Sequence, residues 1–396
     1  MSSDQAEAQR GERNLKLMGW TSLMTDFSSQ MVFPLLPLFL VGSVGGSPAI
    51  VGAVEGAADA VAAGVKLFSG RMSDRLGRRK PWIVAGYGLS AVTKTLFAFA
   101  SGWLFVLVAR VIERIGKGLR TAPRDALVAE SVGPENLGRA YGYQRMMDGF
   151  GSVLGALSAA FLLGFLSVRE VFVVALLPGV IAILFALRLR EDRPLAPAAQ
   201  GPSVQPSSAL PVEVKWAVAA CAVFAFGRMS YAFVLLKAYG FGFTLQQTIL
   251  AYALYQVLYT ASAVPWGRLA DRFGMRRILS VGYGLFVLAL AALGAANSAL
   301  ALLLAFCVFG VGEAAIDASQ RGWLAQLAPK HARGSVMGAL HASIALVALP
   351  GGLAIGLLYE RIDPSAAFAW AALMTVLAAL AVLLKSRTLP ASPAAT

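Results

Sequence analysis

Long apolar runs, separated by short polar connections, occupy almost the whole chain. A helix of roughly 20 residues crosses a hydrocarbon core of about 30 Å, and most of the runs are about that long or longer. The pattern therefore predicts an all-α membrane protein with twelve transmembrane helices, numbered here as spans 1 to 12. The spans are predicted near residues 17–41, 49–69, 81–100, 103–127, 141–165, 170–188, 215–238, 247–266, 278–295, 299–326, 335–358 and 365–385.

The segment between spans 6 and 7 has a different composition from the rest of the chain. It reads RLREDRPLAPAAQGPSVQPSSALPVEVK. Its Pro, Ala, Ser and Gly content and its lack of apolar periodicity are typical of a flexible linker. The linker divides the spans into two groups of six. We expect a tail over residues 1–14, six-helix bundles over 15–189 and 215–386, a linker over 190–214 and a second tail over 387–396.

The overall composition agrees with a membrane protein. Hydrophobic residues make up 58% of the chain and charged residues 14%, whereas about 25% is usual in soluble domains. Two or three soluble domains would need more polar surface than this sequence supplies. The first apolar run begins near Leu15 and is too long for the core of a signal peptide, so we predict that it is an uncleaved span.

The net charge of +13 comes from basic residues that are unevenly placed. If the N-terminus is cytoplasmic, most of the 34 Lys and Arg residues fall in the cytoplasmic connections and tails, and only Arg169 and Arg361 fall in external connections. This asymmetry follows the positive-inside rule. It predicts cytoplasmic termini and a plasma membrane location, which is the inner membrane in a Gram-negative cell. Nucleic acid binding is not needed to explain the charge.

Several classes of function are excluded by what the sequence lacks. Cys221, Cys307, His331 and His341 are too few for a disulfide framework or a metal cluster, so no cofactor is expected. No Ser/His/Asp set is present, and RIGKGL lacks the glycine spacing of an ATP-binding loop. No segment is long enough for a soluble motor or output domain. We therefore expect neither an enzyme, nor an ATP-driven pump, nor a sensor.

The two groups of spans repeat one another. GRMSDRLGRRK at residue 70 matches GRLADRFGMRR at residue 267, and GYGL at residue 86 recurs at residue 282. Parallel repeats of this kind place a binding site near the bilayer midplane, between two bundles that rock against each other.

The repeated loop resembles the signature loop of the major facilitator superfamily of transporters, and the resemblance covers essentially the whole chain. It implies two six-helix bundles and transport by alternating access. It does not imply a substrate, because members carry sugars, drugs, phosphates, peptides and ions on one scaffold.

The resemblance also implies gating roles for the loop residues. Asp74 would brace the cytoplasmic side, and the neighbouring Arg75 would pair with Glu130, the acid that ends span 4. The second-half counterpart of Glu130 is Gln326, so we expect the first-half contact to be stronger. Arg78, Arg79 and Lys80 have topology as an equal alternative role. The predicted gating residues are Gly70, Asp74, Arg75, Gly77, Arg78 and Glu130, with Gly267, Asp271, Arg272 and Gly274 in the second half.

Charged residues inside the spans are candidates for function because each is costly in a membrane. Span 4 carries one polar stripe that must face protein or water, made of Arg110, Glu113, Arg114, Lys117, Arg120 and Arg124. We expect Arg120 and Arg124, near the cytoplasmic end, to snorkel to the membrane surface.

Acidic residues elsewhere in the first bundle would balance this stripe. The candidates for proton or substrate handling are Asp26, Glu55, Asp59, Arg110, Glu113, Arg114, Lys117, Arg145 and Asp148. Ion pairs that only hold helices together are the alternative interpretation. The candidates for lining a cavity are Gln30, Arg228, Tyr231, Gln256, Glu313, Asp317 and His341.

Two partial signatures bear on coupling. Arg110 and Gly116 resemble the span 4 signature of proton-coupled members, in which the arginine takes part in proton transfer. Gly142, Gly151 and Gly155 match the glycine spacing of the antiporter signature, although Ala156 stands where a proline is expected.

The resulting hypothesis is a monomeric, proton-coupled antiporter that expels small organic compounds. Its partners would be the substrate, protons and the lipid bilayer. The alternative is import or exchange of an organic anion, a carboxylate or phosphate, recognised by the cationic face of span 4.

Overall fold

The computed structural model describes residues 3–132, 136–191, 210–328 and 333–384. All regular structure within these ranges is helical, and the helices group into twelve spans, as predicted. Most of the predicted linker and the whole of the predicted C-terminal tail lie outside the described residues.

The first six spans are built from eight α-helices and one short 3₁₀ helix. Their bounds are Ser3–Val32 and Leu36–Ser43 for span 1, Pro48–Leu76 for span 2, Lys80–Leu96 and the 3₁₀ turn Phe97–Phe99 for span 3, Trp103–Glu130 for span 4, Leu137–Leu162 for span 5, and Val168–Val174 and Leu176–Leu187 for span 6. Span 1 is interrupted around Pro34, which lacks the amide hydrogen that a continuous helix needs.

The second six spans repeat this order. Their bounds are Val212–Phe226 and Tyr231–Gly240 for span 7, Leu245–Phe273 for span 8, Met275–Ala295 for span 9, Ala299–Leu327 for span 10, Arg333–Arg361 for span 11, and Pro364–Leu384 for span 12.

Nine of the spans in the described ranges are long and apolar enough to cross a membrane on those grounds alone. Spans 4, 5 and 8 are equally long helices but more polar, with residues such as Arg110, Arg145 and Gln256 in their middle turns. Polar side chains in a membrane helix face protein or water rather than lipid. The three polar spans therefore border the interior of the molecule.

Two seams join the halves, one between spans 2 and 11 and the other between spans 5 and 8. Glycines make the first seam close. A Cβ atom on Gly52 would collide with the carbonyl of Gly352, and one on Gly356 would collide with Pro48 and Ala49. Small residues let membrane helices approach until their backbones touch, so the sequence of span 2 specifies this contact.

Hydrogen bonds close the seam between spans 2 and 11 at one end of the molecule. The chain termini mark the terminal end, and the opposite end is called the far end. At the far end, Glu360 of span 11 accepts hydrogen bonds from the Ser47 hydroxyl at 2.5 Å and from the Ala49 amide at 3.0 Å, both at the start of span 2.

The apolar core shows the same asymmetry. One continuous cluster of buried residues includes Val51 and Val54 of the first half and Phe306 and Ile355 of the second. Toward the terminal end the buried residues of the first half, such as Leu15 and Leu127, form a cluster of their own, separate from second-half residues such as Leu324 and Val336. The halves are therefore packed together at the far end and separated by a cleft at the terminal end.

Candidate functional site

Arg110 occupies the centre of a buried ion cluster in the first half. Its side chain is 0% exposed, and Nη2 lies 3.2 Å from Oε1 of Glu55 on span 2. Nη1 lies 3.3 Å from Oε2 of Glu113, one turn further along span 4. The guanidinium also lies 3.9 Å from the ring centre of Phe33 on span 1. The sequence pattern predicted all three charged residues, and the structure brings them together.

Glu113 is also fully buried, and its remaining contacts are polar. Ser90 of span 3 lies 3.2 Å from its Oε1 atom, and Nε of Arg114 lies 3.7 Å from Oε2. The cluster thus holds two carboxylates and two guanidinium groups. Charges inside a protein are tolerated when they are paired and hydrogen bonded in this way.

The structure contradicts the prediction that Arg120 and Arg124 snorkel to the membrane surface. Arg120 is buried, donates to the Ser90 hydroxyl at 2.6 Å, and lies 4.7 Å from the ring centre of Tyr87. Arg124 lies 2.9 Å from Asp125 and donates to the Ser22 hydroxyl at 3.1 Å. Their helical spacing places both on the inward face of span 4, where hydroxyl, carboxylate and aromatic partners replace water.

Lys94 of span 3 is a buried charged residue that sequence reasoning missed. It is 1% exposed, and its ammonium lies 3.1 Å from the Ser29 hydroxyl and 3.4 Å from the Thr25 carbonyl of span 1. No carboxylate lies within ion-pair distance in the described ranges. A single lysine in the apolar run SAVTKTLFAF was the available signal.

The remaining first-half candidates line the cleft or its wall. Asp148 lies 3.8 Å from Arg124, and Asp26 is half-buried nearby on span 1. Asp59, Lys117 and Arg145 are exposed, and the structure gives them no ion-pair partner among the described residues. Asp59 interacts electrostatically with Arg228 of the other half, so it faces the cleft rather than lipid.

The second half contributes one strong ion pair. Nη2 of Arg228 lies 2.5 Å from Oε1 of Glu313, and the Tyr255 hydroxyl donates to Oε2 of Glu313 at 2.6 Å. One turn further along span 10, Asp317 accepts from the Tyr259 hydroxyl at 2.8 Å. These contacts connect spans 7, 8 and 10 around two carboxylates.

Tyrosine rings connect this acidic wall to the first half. The ring centres of Tyr231 and Tyr252 lie 4.9 Å apart. The Tyr252 hydroxyl lies 2.8 Å from Oε1 of Gln30 on span 1 and 3.4 Å from Oε1 of Gln256. His341 of span 11 is half-buried. Gln30 of the first half therefore contacts the second half.

The signature loop forms its contacts through Arg79 rather than the predicted Arg75. Nη2 of Arg79 lies 3.0 Å from Glu130, and Nη1 bonds both Asp74 and the Ser73 hydroxyl, the latter at 2.9 Å. Burial lowers the pKa of Arg79, but its hydrogen bonds to Asp74 and Glu130 outweigh burial, so the pKa lies above its ordinary value. Arg75 is exposed and without an ion pair among the described residues.

Loop geometry explains this choice. Gly77 ends span 2 with φ of 60°, a left-handed conformation that glycine adopts without strain. The turn points Arg78 to solvent and Arg79 inward. Beside the loop, the Gly70 position lies 3.3 Å from Ala122 of span 4, measured from a Cβ placed on the glycine.

The second copy of the loop lacks these contacts. Asp271 and Arg272 are exposed and have no ion-pair partner in the ranges that the structure describes. Gly274 also has a positive φ, 95°, and a Cβ on Gly267 would meet nothing within 4 Å. The two halves therefore share a fold, but among the described residues ion pairs hold the loop in the first half and not in the second.

Comparisons with known proteins give a consistent answer. The model of the Major Facilitator Superfamily matches residues 18–239 and 216–396. An uncharacterized MFS-type transporter of Methanocaldococcus jannaschii is 31% identical over 382 residues, 94% of each chain. The multidrug resistance protein MdtH of Cronobacter sakazakii is 27% identical over 312 residues, 78% of this chain and 77% of that protein.

The architecture also matches solved transporters. A variant of the nucleoside transporter NupG has a TM-score of 0.79 at 15% identity, covering 94% of this chain and 100% of that one. This likeness concerns the fold. Taken with the sequence matches, it means that the chain belongs to the major facilitator superfamily and is a membrane transporter, not an enzyme.

Proposed function

We propose that this transporter is a proton-coupled antiporter that expels small organic compounds. The observation that carries the proposal is the buried cluster of Glu55, Arg110 and Glu113, which lies beside the seam between the halves. A carboxylate in such a place changes the local charge balance when it takes up a proton.

Glu55 is the proposed proton acceptor. Its side chain is 15% exposed, whereas Glu113 is 0% exposed, so water reaches Glu55 more readily. Protonation would remove one of the two ion pairs of Arg110. At 3.2 Å and an effective dielectric constant of about 20, that attraction amounts to about 5 kcal/mol before desolvation is counted. A net remainder of only about 1.4 kcal/mol would already shift an equilibrium between two conformations about tenfold.

The position of Glu55 links this charge change to movement. Gly52 and Gly56 flank it on span 2, and both pack directly against the backbone of span 11 in the other half. Breaking the bond between Glu55 and Arg110 would loosen span 2 where it closes the far end. The cleft would then be open at the far end and closed at the terminal end. Glu55 would take up its proton in this arrangement, and re-forming the bond to Arg110 in the terminal-open arrangement would release that proton at the terminal end, against the direction of export.

The cleft offers groups of both signs to a substrate. Lys117 and Asp59 face it from the first half, and Arg228, Tyr231 and Asp317 line the second. The name of the relative MdtH, a multidrug resistance protein, supports efflux of organic compounds by this chain as well.

The proposal includes an orientation. Cytoplasmic termini in the plasma membrane follow from the basic connections, and the cleft then opens to the cytoplasm, where an exporter collects its substrate. We further propose that the monomer is the working unit, because the candidate cleft is formed within one chain.

Purified protein in liposomes, with a pH dye inside and a pH gradient across the membrane, tests the proposal. Adding ethidium, norfloxacin or another compound of a broad drug panel should move protons through the wild-type protein. Glu55→Gln should abolish this movement, while the control Glu213→Gln, in the first turn of span 7 and outside the cluster, should preserve it. Absence of substrate-dependent proton movement over the whole panel would refute antiport.

Organic anion transport remains the second candidate because of one observation. Lys117 is exposed in the cleft and has no carboxylate within ion-pair distance among the described residues. Binding of benzoate or inorganic phosphate that Lys117→Gln abolishes would favour this candidate. Binding of ethidium that Lys117→Gln leaves unchanged would favour drug efflux.

A further inference from the structure

A groove runs along one face of span 2 toward the terminal end. Its volume is about 340 Å³, and it is lined by Gly64, Leu67, Phe68, Arg71, Met72 and Arg75. The groove is apolar beside Gly64 and Leu67, near the middle of span 2, and cationic beside Arg71 and Arg75, nearer the terminal end. This face is separate from the face that packs on span 4, which includes Val65 and Ser69.

The two groove arginines are free to bind an anion. Arg71 and Arg75 are four residues apart, so they lie on one helix face. Both are exposed, and the structure gives neither an ion pair within the described ranges. The nearest acid in sequence, Asp74, is already bound to Arg79.

The surroundings place the groove at the edge of the bilayer. Phe68 contacts Trp82 of span 3, with ring centres 6.2 Å apart, and tryptophans concentrate where the membrane meets water. From Gly64 to Arg75 the helix rises about 17 Å, which is close to the roughly 15 Å depth of one leaflet's hydrocarbon. The charged end thus lies at headgroup level and the apolar end near the midplane.

We propose that this groove binds one anionic phospholipid. The phosphate would lie between Arg71 and Arg75, and an acyl chain would run past Phe68 and Leu67 to the open space beside Gly64, where a Cβ would meet nothing within 4 Å. The apolar lining favours a lipid over free phosphate, and the two cations favour an anionic over a zwitterionic headgroup.

The site has a consequence for the transport cycle. Leu67 lies 4.0 Å from a Cβ placed on Gly338 of span 11, across the seam between the two halves. Movement of span 11 toward span 2 would narrow the groove. A bound lipid therefore stabilises the state in which the terminal end is open. The lipid site itself does not depend on proton coupling.

Native mass spectrometry of the detergent-solubilised full chain, titrated with phosphatidylglycerol or phosphatidylcholine, tests the site. The wild-type protein should bind one phosphatidylglycerol more tightly than any phosphatidylcholine. Arg71→Gln together with Arg75→Gln should lower the affinity for phosphatidylglycerol about 25-fold, because each cation contributes a factor of about five. The control Arg78→Gln removes a charge from the same membrane surface but outside the groove, and should leave the affinity unchanged.

A second variant distinguishes a lipid from a phosphate. Gly64→Leu fills the acyl end and leaves both arginines in place, so it should also weaken phosphatidylglycerol binding. If Gly64→Leu binds normally and inorganic phosphate competes, the site recognises phosphate alone. That result, equal binding of the two lipids, or an equal effect of Arg78→Gln, would each overturn the proposal.

Discussion

Neighbouring side chains of one type have different roles in this protein. Arg78 and Arg79 are adjacent, yet Arg78 is exposed and Arg79 is buried against Asp74 and Glu130. The contacts around each side chain, rather than its charge alone, therefore decide its contribution to stability and transport.

Replacing Arg110 by methionine should lower the free energy of unfolding by about 3 to 5 kcal/mol, because Glu55 and Glu113 lose the arginine that they share and only the more distant Arg114 remains beside Glu113. Thermal unfolding in detergent measures the loss. Adding Glu55→Gln and Glu113→Gln to Arg110→Met should recover much of it. Equal instability of the single and triple variants would mean that the cluster is not held together by charge.

Replacing Arg79 by glutamine should destabilise the protein by about 1.5 to 3 kcal/mol, the usual range for hydrogen bonds with charged groups. Arg78→Gln is the matched control and should change stability by less than about 0.5 kcal/mol. A double-mutant cycle of Arg79→Gln with Glu130→Gln should give a coupling energy above zero. Independent effects of the two substitutions would argue against the observed bond.

Sequence reasoning at this scale found charges but not all of their partners. The spacing of span 4 predicted a single polar face, and that face meets Glu55 from span 2. The sequence could not show which loop arginine binds Asp74 and Glu130. That choice depends on how the chain turns at Gly77 and on where Glu130 lies in the folded protein. Lys94 was missed because its partners are a hydroxyl and a carbonyl, which leave no charge pattern.

At the scale of helices, spans 2 and 11 are in direct contact backbone to backbone at their glycines. A Cβ on Gly352 would collide with the carbonyl of Gly52 and come within 3.2 Å of the Gly56 Cα. Neither atom can move without displacing a whole helix. This seam therefore tolerates no larger side chain in the present state.

Gly352→Val should open the far end. The readout is labelling of Ala348→Cys, a buried seam position, by an impermeant maleimide, with Cys221 and Cys307 replaced by alanine. Labelling should become about 5-fold to about 150-fold faster, since overpacking costs about 1 to 3 kcal/mol. The control Gly284→Val, where a Cβ would meet nothing within 4 Å, should leave the rate unchanged. Equal rates would contradict a packed seam.

Glu360→Ala should also accelerate this labelling, by about fivefold, because a carboxylate at a helix N-terminus contributes up to about 1 kcal/mol. Glu170→Ala is the control. Glu170 accepts from the Ser167 amide and hydroxyl at 2.7 and 2.8 Å, but entirely within its own half. If both substitutions have the same effect, the contact of Glu360 with span 2 does not close the far end.

The helices themselves were largely predictable, and their ends less so. All twelve predicted spans are present as helices or helix pairs. Span 2 continues to Leu76 beyond its predicted end near residue 69, because the charged residues of the signature motif extend the helix until Gly77 stops it. Apolar length defines the membrane portion of a helix, whereas capping chemistry defines its end.

For the whole molecule, the sequence predicted two related halves but not which end would be closed. Each seam must be able to part and to close during transport, so its residues are compatible with both states. Only the packed structure reveals that the core is continuous at the far end and divided at the terminal end.

The central claim is that protonation of Glu55 determines which end of the cleft is open. Distances between spin labels at Leu76→Cys and Ser335→Cys, across the terminal end, and at Ser43→Cys and Ile362→Cys, across the far end, test it at pH 5.5 and pH 8.5. At the lower pH we predict a shorter terminal-end distance and a longer far-end distance, with Glu55→Gln in that arrangement at both pH values. Two results would contradict the account: distances that are the same at both pH values, or a Glu55→Gln protein whose distances change with pH as those of the wild type do.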